Sequence, residues 1–349
     1  MVREFSERLL KWFDANGRKD LPWQQYDDPY RIWLSEIMLQ QTQVQTVIPY
    51  FERFCQQFPS VQDLAAAPED EVLHLWSGLG YYARARNLHA AAKQVVAEFD
   101  GEFPREQTEL ESLKGIGRST AAAIRAQAFG EKAAILDGNV KRVLARLYAI
   151  DGWPGATQIE RQMWNASDSL LPEERLRDYT QAIMDLGATL CTRSNPDCER
   201  CPFTKDCGAY LEGRVSELPK RKPKKKIPTK EIVFLIQRNT EDEVLLEKRP
   251  PTGIWGGLWS FPEVDHQDLS DRLNEFGLAA KDVETLETGE HVFSHFRLKY
   301  TPVVFPSIAN KASQIAESDR HIWYSGDRSK ALGLAAPVAK LIDRLQHHL

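Results

Sequence analysis

A glutamate inside an apolar helix, an aspartate just beyond a glycine hairpin and four cysteines between positions 191 and 207 are the groups in this chain with chemistry to offer. Glu36 lies in Ile32-Trp33-Leu34-Ser35-Glu36-Ile37-Met38-Leu39, with apolar residues on every side of the predicted helix. Withdrawing a carboxylate from water disfavours its charged form and raises its pKa, which suits a general acid. The same setting fits a buried glutamate held by an arginine such as Arg31, and the residues alone leave both readings open. Asp137, in Ile135-Leu136-Asp137-Gly138-Asn139-Val140, is either a carboxylate that works on a ligand or simply the N-cap of the helix bearing Lys141 and Arg142.

The stretch before Asp137, LKGIGRSTAAAIRAQAFG, reads as helix, glycine hairpin, helix. Thr108 and Glu111 have capping-box spacing, so a short helix should end near Leu113; Ser119 or Thr120 should cap the second helix, which should stop at Gly130. Gly115 and Gly117 let bare backbone approach a ligand, and N–H groups opening a helix favour an anion such as a phosphate. A plain helix connection explains the turn alone equally well. Two further stretches carry polar groups suited to nucleic acid. Gln40-Gln41-Thr42-Gln43-Val44-Gln45 is amide-rich for a helix that otherwise reads as core, and amides can bond base edges. Gly78 to Arg86 interleaves aromatics with arginines after a flexible turn, a pattern that can insert a ring into a base stack and hold phosphates.

The spacing Cys191-x6-Cys198-x2-Cys201-x5-Cys207 suits a metal bound by four thiolates. Zinc and iron-sulfur remain open on spacing alone, although zinc sites more often show two short C-x-x-C pairs and only one is present. Cys55 stands apart as a small buried hydrophobe.

The elements that must position these groups form two regions. Periodicity is helical from Glu4 to about Leu186. A linker with six basic residues between Lys220 and Lys226, bracketed by prolines, follows. Beyond it the pattern turns to strands, at Glu231 to Gln237, Glu243 to Lys248, Val292 to Thr301 and Pro302 to Phe305, with a closing helix from Pro337 to Leu345. The expected architecture is multidomain: an all-α region over 1–214 with its hairpin at 108–130 and cysteine loop at 191–207, a linker over 215–229, and an α+β domain over 230–349.

With 349 residues, 42% hydrophobic and 27% charged, the chain has the composition of a soluble protein with two or three cores. Its formal charge of −5 gives no global footprint for nucleic acid, so any such footprint is local. No apolar run has membrane-spanning length and no signal-peptide pattern opens the chain, so no membrane partner and a cytoplasmic location are expected. Clustered cysteines in that compartment point to metal rather than disulfides.

LKGIGRSTA followed by LDGNVKRV resembles the helix-hairpin-helix DNA glycosylase superfamily, and over nearly its whole length the chain is most similar to the adenine DNA glycosylases (MutY type). That resemblance implies hydrolysis of the glycosidic bond of adenine opposite 8-oxoguanine or guanine in double-stranded DNA, by a monomer. Glu36 would protonate adenine at N7, Asp137 would stabilise the cationic sugar and Asn139 would orient the site. Gln40, Gln41, Tyr81, Gly115, Gly117, Ser119 and Arg193 would meet DNA, with Gln41 and Tyr81 as wedges and Lys205 beside Arg193 on the cysteine loop. The four cysteines would hold one 4Fe-4S cluster, and Phe293, Ser294 and His295 would read 8-oxoguanine. Arg125 departs from the more uniformly apolar pattern of its helix in the family.

Pro250 to Pro262 resembles the Nudix hydrolases, but Arg272-Leu273-Asn274-Glu275-Phe276-Gly277 lacks the carboxylates of their R-E-x-x-E-E-x-G magnesium helix. A Nudix-shaped recognition domain without hydrolase activity is expected. Three rival readings stand beside the main one. A bifunctional glycosylase and abasic-site lyase of the endonuclease III type would need a lysine where this chain has Ser119, since a hydroxyl cannot form an imine. A non-catalytic iron-sulfur DNA-binding protein would leave Glu36 without a role. A Nudix hydrolase lacks its metal ligands.

Overall fold

Helical apolar spacing condenses into helices in the computed structural model, which describes residues 2–25, 27–222, 227–293, 295–306, 320–327 and 332–347. They are α1 (Val2–Asn16), α2 (Pro29–Leu39), α3 (Val44–Gln57), α4 (Val61–Ala66), α5 (Glu69–Leu75), α6 (Ala83–Glu98), α7 (Gln107–Ser112), α8 (Arg118–Phe129), α9 (Gly138–Leu147), α10 (Thr157–Ser169), α11 (Leu176–Asp185) and α12 (Gly208–Leu211). Among the described residues no helix is long and apolar enough to cross a membrane. The chain divides into two compact units, residues 1–66 with 87–224 and residues 67–86 with 225–349.

The first unit is wholly helical. α2 starts where Asp28 accepts from the Tyr30 N–H at 3.0 Å and Pro29 occupies the first turn. It buries Tyr30, Ile32, Trp33, Leu34, Ile37 and Met38, so it is a central helix with no solvent face. Each such side chain contributes about 1.5 to 3 kcal/mol on full burial. α8 packs against it and buries Ala121, Ala122, Ala123 and Ala126, whose small side chains permit close approach of its neighbours. A core that includes Leu9, Phe13, Leu136, Val140, Ile183 and Phe203 backs α9, α11 and the cysteine loop.

Local geometry corrects several sequence expectations. α7 begins at Gln107 with Glu106 as its cap residue, so Thr108 lies inside the first turn and no capping box forms; Glu111 accepts from Gln107 instead. α8 takes Gly117 as its N-cap without a side-chain bond, which puts Ser119 and Thr120 inside the first turn. It does stop at Gly130, in the left-handed region at φ 66°. The amide-rich stretch is not helical at its start. α2 ends at Leu39, Gln41 turns the chain at φ 59°, and Gln43 caps α3. Arg125 on α8 pairs with Glu131 just past Gly130, which accounts for a charge on this helix.

In the second unit β1 (Thr229–Arg238), β2 (Val244–Lys248), β3 (Trp259–Ser260), β4 (Glu263–Val264), β5 (Glu284–Thr285), β6 (Gly289–Val292), β7 (Arg297–Pro306) and β8 (His321–Tyr324) form a mixed sheet in the order β3-β2-β1-β7-β5, with β4 on β1, β6 on β7 and β8 on β2. β1 and β7 run parallel in register from Thr229 opposite Arg297 to Arg238 opposite Pro306. Residues 232–237 are buried on both faces, as in a strand covered from both sides. One face packs Val233, Leu235, Val303 and Phe305 on Leu273 of α13 (Leu269–Glu275); α14 (Ala336–His347) closes the described chain. The expected strand from Val292 to Thr301 is broken: β6 ends at Val292, 293–296 is a hairpin loop, and β7 continues through Pro302, whose carbonyl accepts from the Leu286 N–H.

Residues 67–86, read from sequence as part of the helical region, are helical but make their contacts in this second unit. Asp70 pairs with Lys248 at 2.9 Å, His74 Nδ1 meets the Leu332 carbonyl at 3.2 Å and Arg86 donates to the Gly256 carbonyl. A Cβ on Gly333 would stand 2.7 Å from Leu73, so the two segments approach closely. Of the linker expected at 215–229, Leu218 is buried and its carbonyl accepts from Arg146 at 3.0 Å, Thr229 already belongs to β1, and residues 223–226 lie outside the described residues.

Candidate active site

A cavity of about 790 Å³ in the first unit brings Glu36, Asp137, Gln40, Gln41, Ser119, Asn139 and Arg193 to one place. Its walls come from the end of α2, the turn that follows, the start of α8, the loop into α9, and α11.

Glu36 faces this cavity from the centre of an apolar helix. Its partner is not Arg31, which pairs with Asp28 at 3.5 Å, but the neutral amide of Gln127, whose Nε2 donates to Glu36 Oε1 at 2.9 Å. Burial pushes Glu36 up to about 7; the Gln127 bond opposes that shift and the charge of Asp137 adds to it. A carboxyl group at that value changes its charge near neutrality and can both give and take a proton.

Asp137 fulfils both readings left open by its sequence. It is the N-cap of α9, accepting from Val140 N–H at 2.7 Å, and it also lines the cavity. Burial pushes its pKa up, while the bonds from Val140 and Asn139 pull it down. Asn139 Nδ2 donates to Asp137 Oδ2 at 3.1 Å and its Oδ1 accepts from Arg142 at 2.8 Å, whose Nε donates to the Cys191 carbonyl at 2.7 Å. Polar contacts therefore run without a break from the aspartate to the cysteine loop. Gly187, in the π-helical turn Leu186–Leu190, makes room for Asn139; a Cβ there would stand 2.6 Å from the Asn139 Cβ.

Ser119 lends its hydroxyl to the same end. Oγ accepts from the Leu136 N–H at 2.9 Å, tying the hairpin to the residue before Asp137. Gly115 and Gly117 are exposed but differ in their reasons for being glycine. Gly115 has φ 80° and a Cβ would stand 2.9 Å from Asn87, whereas Gly117 has an ordinary φ of −103° and open space beside it, so only the first is required by conformation.

Arg18 and Gln181, which line another wall, are held by the fully buried Asp185, which takes bonds from the Arg18 main chain at 2.7 Å, the Arg18 guanidinium and Gln181 at 2.8 Å. Among the described residues lining the cavity there is no lysine, and Lys141 is engaged by Glu160 at 2.7 Å. Gln40 reaches Thr120 at 3.5 Å, and Gln41 is exposed.

Tyr81 belongs to the second unit and is not part of this cavity. It stands at φ 51° and 53% exposed, on a turn opened by Gly78 and Gly80. The arginines beside it are engaged: Arg84 lies over the Trp76 and Tyr81 rings and donates to the Gly80 carbonyl at 3.1 Å, and Arg86 is held by Gly256. Both guanidiniums are taken up by main-chain carbonyls, as burying a guanidinium requires acceptors.

Cys191, Cys198, Cys201 and Cys207 line one small pocket, none of them in a disulfide. Burial pushes Cys201 up to about 11 and raises Cys198 and Cys207, so four thiolates here need a compensating positive charge. Arg146 braces the loop, donating to Cys191 Sγ at 3.3 Å and to the carbonyls of Thr192 and Arg193 at 2.7 and 3.1 Å. Phe203 stacks on Phe5 of α1 at 4.3 Å. Among the described residues no three Cys, His, Asp or Glu side chains converge as a single-ion site, and the four thiols line one pocket. Arg193 and Lys205 are exposed on this loop. Cys55 is only partly buried, with its thiol pushed up to about 11.

In the second unit the loop 293–296 is aromatic. Phe293 stacks on Phe296 at 4.4 Å and lies 5.5 Å from the Trp255 ring, while His295 is exposed and edges onto Phe296 at 4.8 Å. Ser294 lies outside the described residues. α13 presents Asp271 and Glu275, the latter bound by Arg272, and no group of carboxylates there is arranged for a metal among the described residues.

Gln127, Arg142, Gln181 and Gly187 were missed by sequence reasoning as site residues. Gln127 alone left a signal, as an uncharged polar residue on an alanine-rich helix.

Comparison with known proteins follows the same division. Residues 34–168 match the HhH-GPD superfamily of base excision DNA repair proteins, and residues 232–344 match the NUDIX domain. The chain is 39% identical over 349 residues to the adenine DNA glycosylase of Buchnera aphidicola subsp. Baizongia pistaciae, covering 99% of this chain and 98% of that protein. It is 36% identical to the adenine DNA glycosylase of Mus musculus, over 86% of this chain and 70% of that one. Among solved structures a thermostable thymine-DNA glycosylase is similar with a TM-score of 0.56 and 29% identity, covering 60% of this chain and 97% of its own. An endonuclease III in complex with DNA shares the fold at a TM-score of 0.52 and 23% identity, over 61% of this chain and 96% of that one.

Proposed function

The chain belongs to the adenine DNA glycosylases, and from that premise we propose that it removes adenine mispaired with 8-oxoguanine or guanine, using Glu36 and Asp137 on one cavity. The observation that carries the reading is the pairing itself: a carboxyl pushed up to about 7 faces the same space as a carboxylate stabilised by a helix N-terminus. At about 790 Å³ the cavity lies within the roughly 300 to 1,000 Å³ of small-ligand sites, enough for a nucleotide turned out of the duplex.

Protonated Glu36 gives its proton to N7 of adenine, and the bond from N9 to the sugar carbon breaks with its electron pair on the base. The sugar is left as an oxocarbenium ion. Asp137 stabilises that charge, held in place by Val140 and Asn139 and backed by the Ser119 bond to Leu136. Glu36, now a carboxylate, takes a proton from the water that attacks the sugar carbon. With no lysine on the described lining and Ser119 at the hairpin, the reaction ends at the abasic site.

Gly115 and Gly117 would approach a DNA phosphate through main-chain N–H groups, Arg193 would meet the backbone, and Gln40, Gln41 and Tyr81 would support the duplex where adenine leaves. Phe293, Ser294 and His295 would read the opposite base. Cys191, Cys198, Cys201 and Cys207 would hold one 4Fe-4S cluster that orders the loop carrying Arg193; base release needs nothing from it. The protein would act as a monomer in the cytoplasm, whose reducing conditions keep such thiols available.

The test is to incubate the protein with duplexes holding adenine opposite 8-oxoguanine, guanine or cytosine. Released adenine is expected from the first two, with intact strands until alkali is added. Strand scission with a borohydride-trapped adduct would favour the bifunctional reading. Protein prepared without air should be brown and contain iron; zinc alone would overturn the cluster.

A further inference from the structure

The Gln127 amide is 6% exposed on a helix whose neighbouring buried residues are Ala121, Ala122, Ala123, Ile124 and Ala126. Burying an amide costs free energy unless its polar atoms are used, and an apolar side chain would satisfy the packing at this position. Its recorded partner is Glu36, 91 residues away, at 2.9 Å. We propose that Gln127 is a positioning residue for base release, holding Glu36 Oε1 as a hydrogen-bond acceptor so that the acid proton is carried on Oε2, toward the departing base. The proposal rests on the reading of Glu36 as the general acid.

The argument is one of donors and acceptors. A carboxylic acid carries one proton on one oxygen, and an oxygen that already receives an amide N–H has its near side occupied by that hydrogen. The proton is therefore disfavoured on Oε1. Once it has been given to the base, the same N–H stabilises the carboxylate left behind, in a cavity where Asp137 already disfavours a second negative charge. Gln127 thus opposes both burial and Asp137 without introducing a positive charge that would repel the oxocarbenium ion.

Of the other charged groups, Arg18, Arg142 and Arg193 line the same cavity as Glu36. Arg18 is paired with Asp185, Arg142 with Asn139 and the carbonyls of Cys191 and Gly187, and Arg193 comes from the cysteine loop. Arg125 on α8 is paired with Glu131 and Arg31 on α2 with Asp28. On α3, Glu52 and Arg53 are exposed, and Cys55 faces Arg31 and Asp28.

The experiment compares single-turnover adenine release from pH 5 to 9 for the unmodified protein, Gln127→Leu, Gln127→Met and Glu36→Gln. The basic limb, where Glu36 loses its proton, should move up by about one pH unit in both Gln127 variants, since a hydrogen bond to a charged group is lost. At pH 6 the rate should fall about 3- to 10-fold with DNA affinity unchanged, because the proton is no longer directed to one oxygen. Carboxyl titration of glutamate-labelled protein by carbon NMR, with Glu36 assigned from its absence in Glu36→Gln, follows the same shift without catalysis. A basic limb and titration that stay in place, or move down because the amide accepts from Glu36 instead of donating, would overturn the proposal while leaving Glu36 as the acid. Near-normal release by Glu36→Gln would instead remove the general-acid reading on which it rests.

Discussion

The two units of this protein treat carboxylates in opposite ways. In the first, Asp185 is fully buried and Glu36 and Asp137 are partly buried at the cavity, where burial raises the pKa of both; each is held by something different: a guanidinium, an amide and the N-terminus of a helix, respectively. In the second, no carboxylate is fully buried among the described residues; Glu263, Glu247 and Asp70 sit in partly exposed ion pairs with Arg249, Arg320 and Lys248. The buried polar side chains of that sheet are neutral, Gln237 and Ser260. Desolvated charge costs stability and shifts protonation, so it is concentrated where a reaction can use it.

The sharpest break in this comparison is Glu36→Gln, which keeps shape and loses the proton. Base release should fall by about 10²- to 10⁴-fold or more in single-turnover assays, with binding of the mispaired duplex nearly intact. Parallel loss of binding would mean that Glu36 supports the fold.

The same substitution should show the cost of the buried charge. Because the folded pKa of Glu36 is raised from 4.5 to about 7, the folded state binds more protons across that window, and stability is lost as pH rises through it. Glu36→Gln should therefore match the unmodified protein below about pH 4.5 and exceed it at pH 8, by up to about 3 kcal/mol. Urea unfolding at the two pH values measures the difference, and equal stability at both would mean that Glu36 titrates as if exposed.

In the second unit the largest effect should be on selectivity. Ser294→Ala combined with His295→Ala should reduce the preference for adenine opposite 8-oxoguanine over adenine opposite guanine by about 5- to 150-fold, the worth of a buried hydrogen bond, while release from the guanine pair is retained. Equal slowing of both substrates would move lesion recognition elsewhere.

Arg272→Ala on α13 should do least. Its bond to Glu275 is exposed, so the melting curve should shift by no more than the equivalent of about 0.5 kcal/mol and base release should not change. Magnesium-dependent hydrolysis of nucleoside diphosphates by the unmodified protein would break the contrast from the other side.

Features encoded within a few neighbouring residues could be read before folding. The helical half, the strand-rich half, the stop at Gly130, the absence of a Nudix carboxylate helix and the four-cysteine spacing all depend on local periodicity or local conformational limits. Errors arose where two local rules competed. Thr108 and Ser119 have capping chemistry, yet the helices start two residues earlier than those caps require because Glu106 and Gly117 take the extended conformation first, leaving Ser119 to bond Leu136. The strand expected over Val292 to Thr301 is interrupted, because Phe293 N–H bonds back to the Phe296 carbonyl and β6 thereby turns into β7.

The sequence by itself determined which groups could carry chemistry: a carboxyl among apolar residues, a carboxylate at a helix start, thiols at metal-binding spacing. Only the tertiary structure decided what each of them meets. Arg31 was the nearest partner for Glu36 along the chain, yet Gln127 holds it from 91 residues away. Residues 67–86 follow the helical core in order and pack in the other unit. Periodicity specifies the face of an element that is buried, whereas the partner on that face is chosen by packing over the whole unit, and hydrogen bonds between distant side chains follow from that choice.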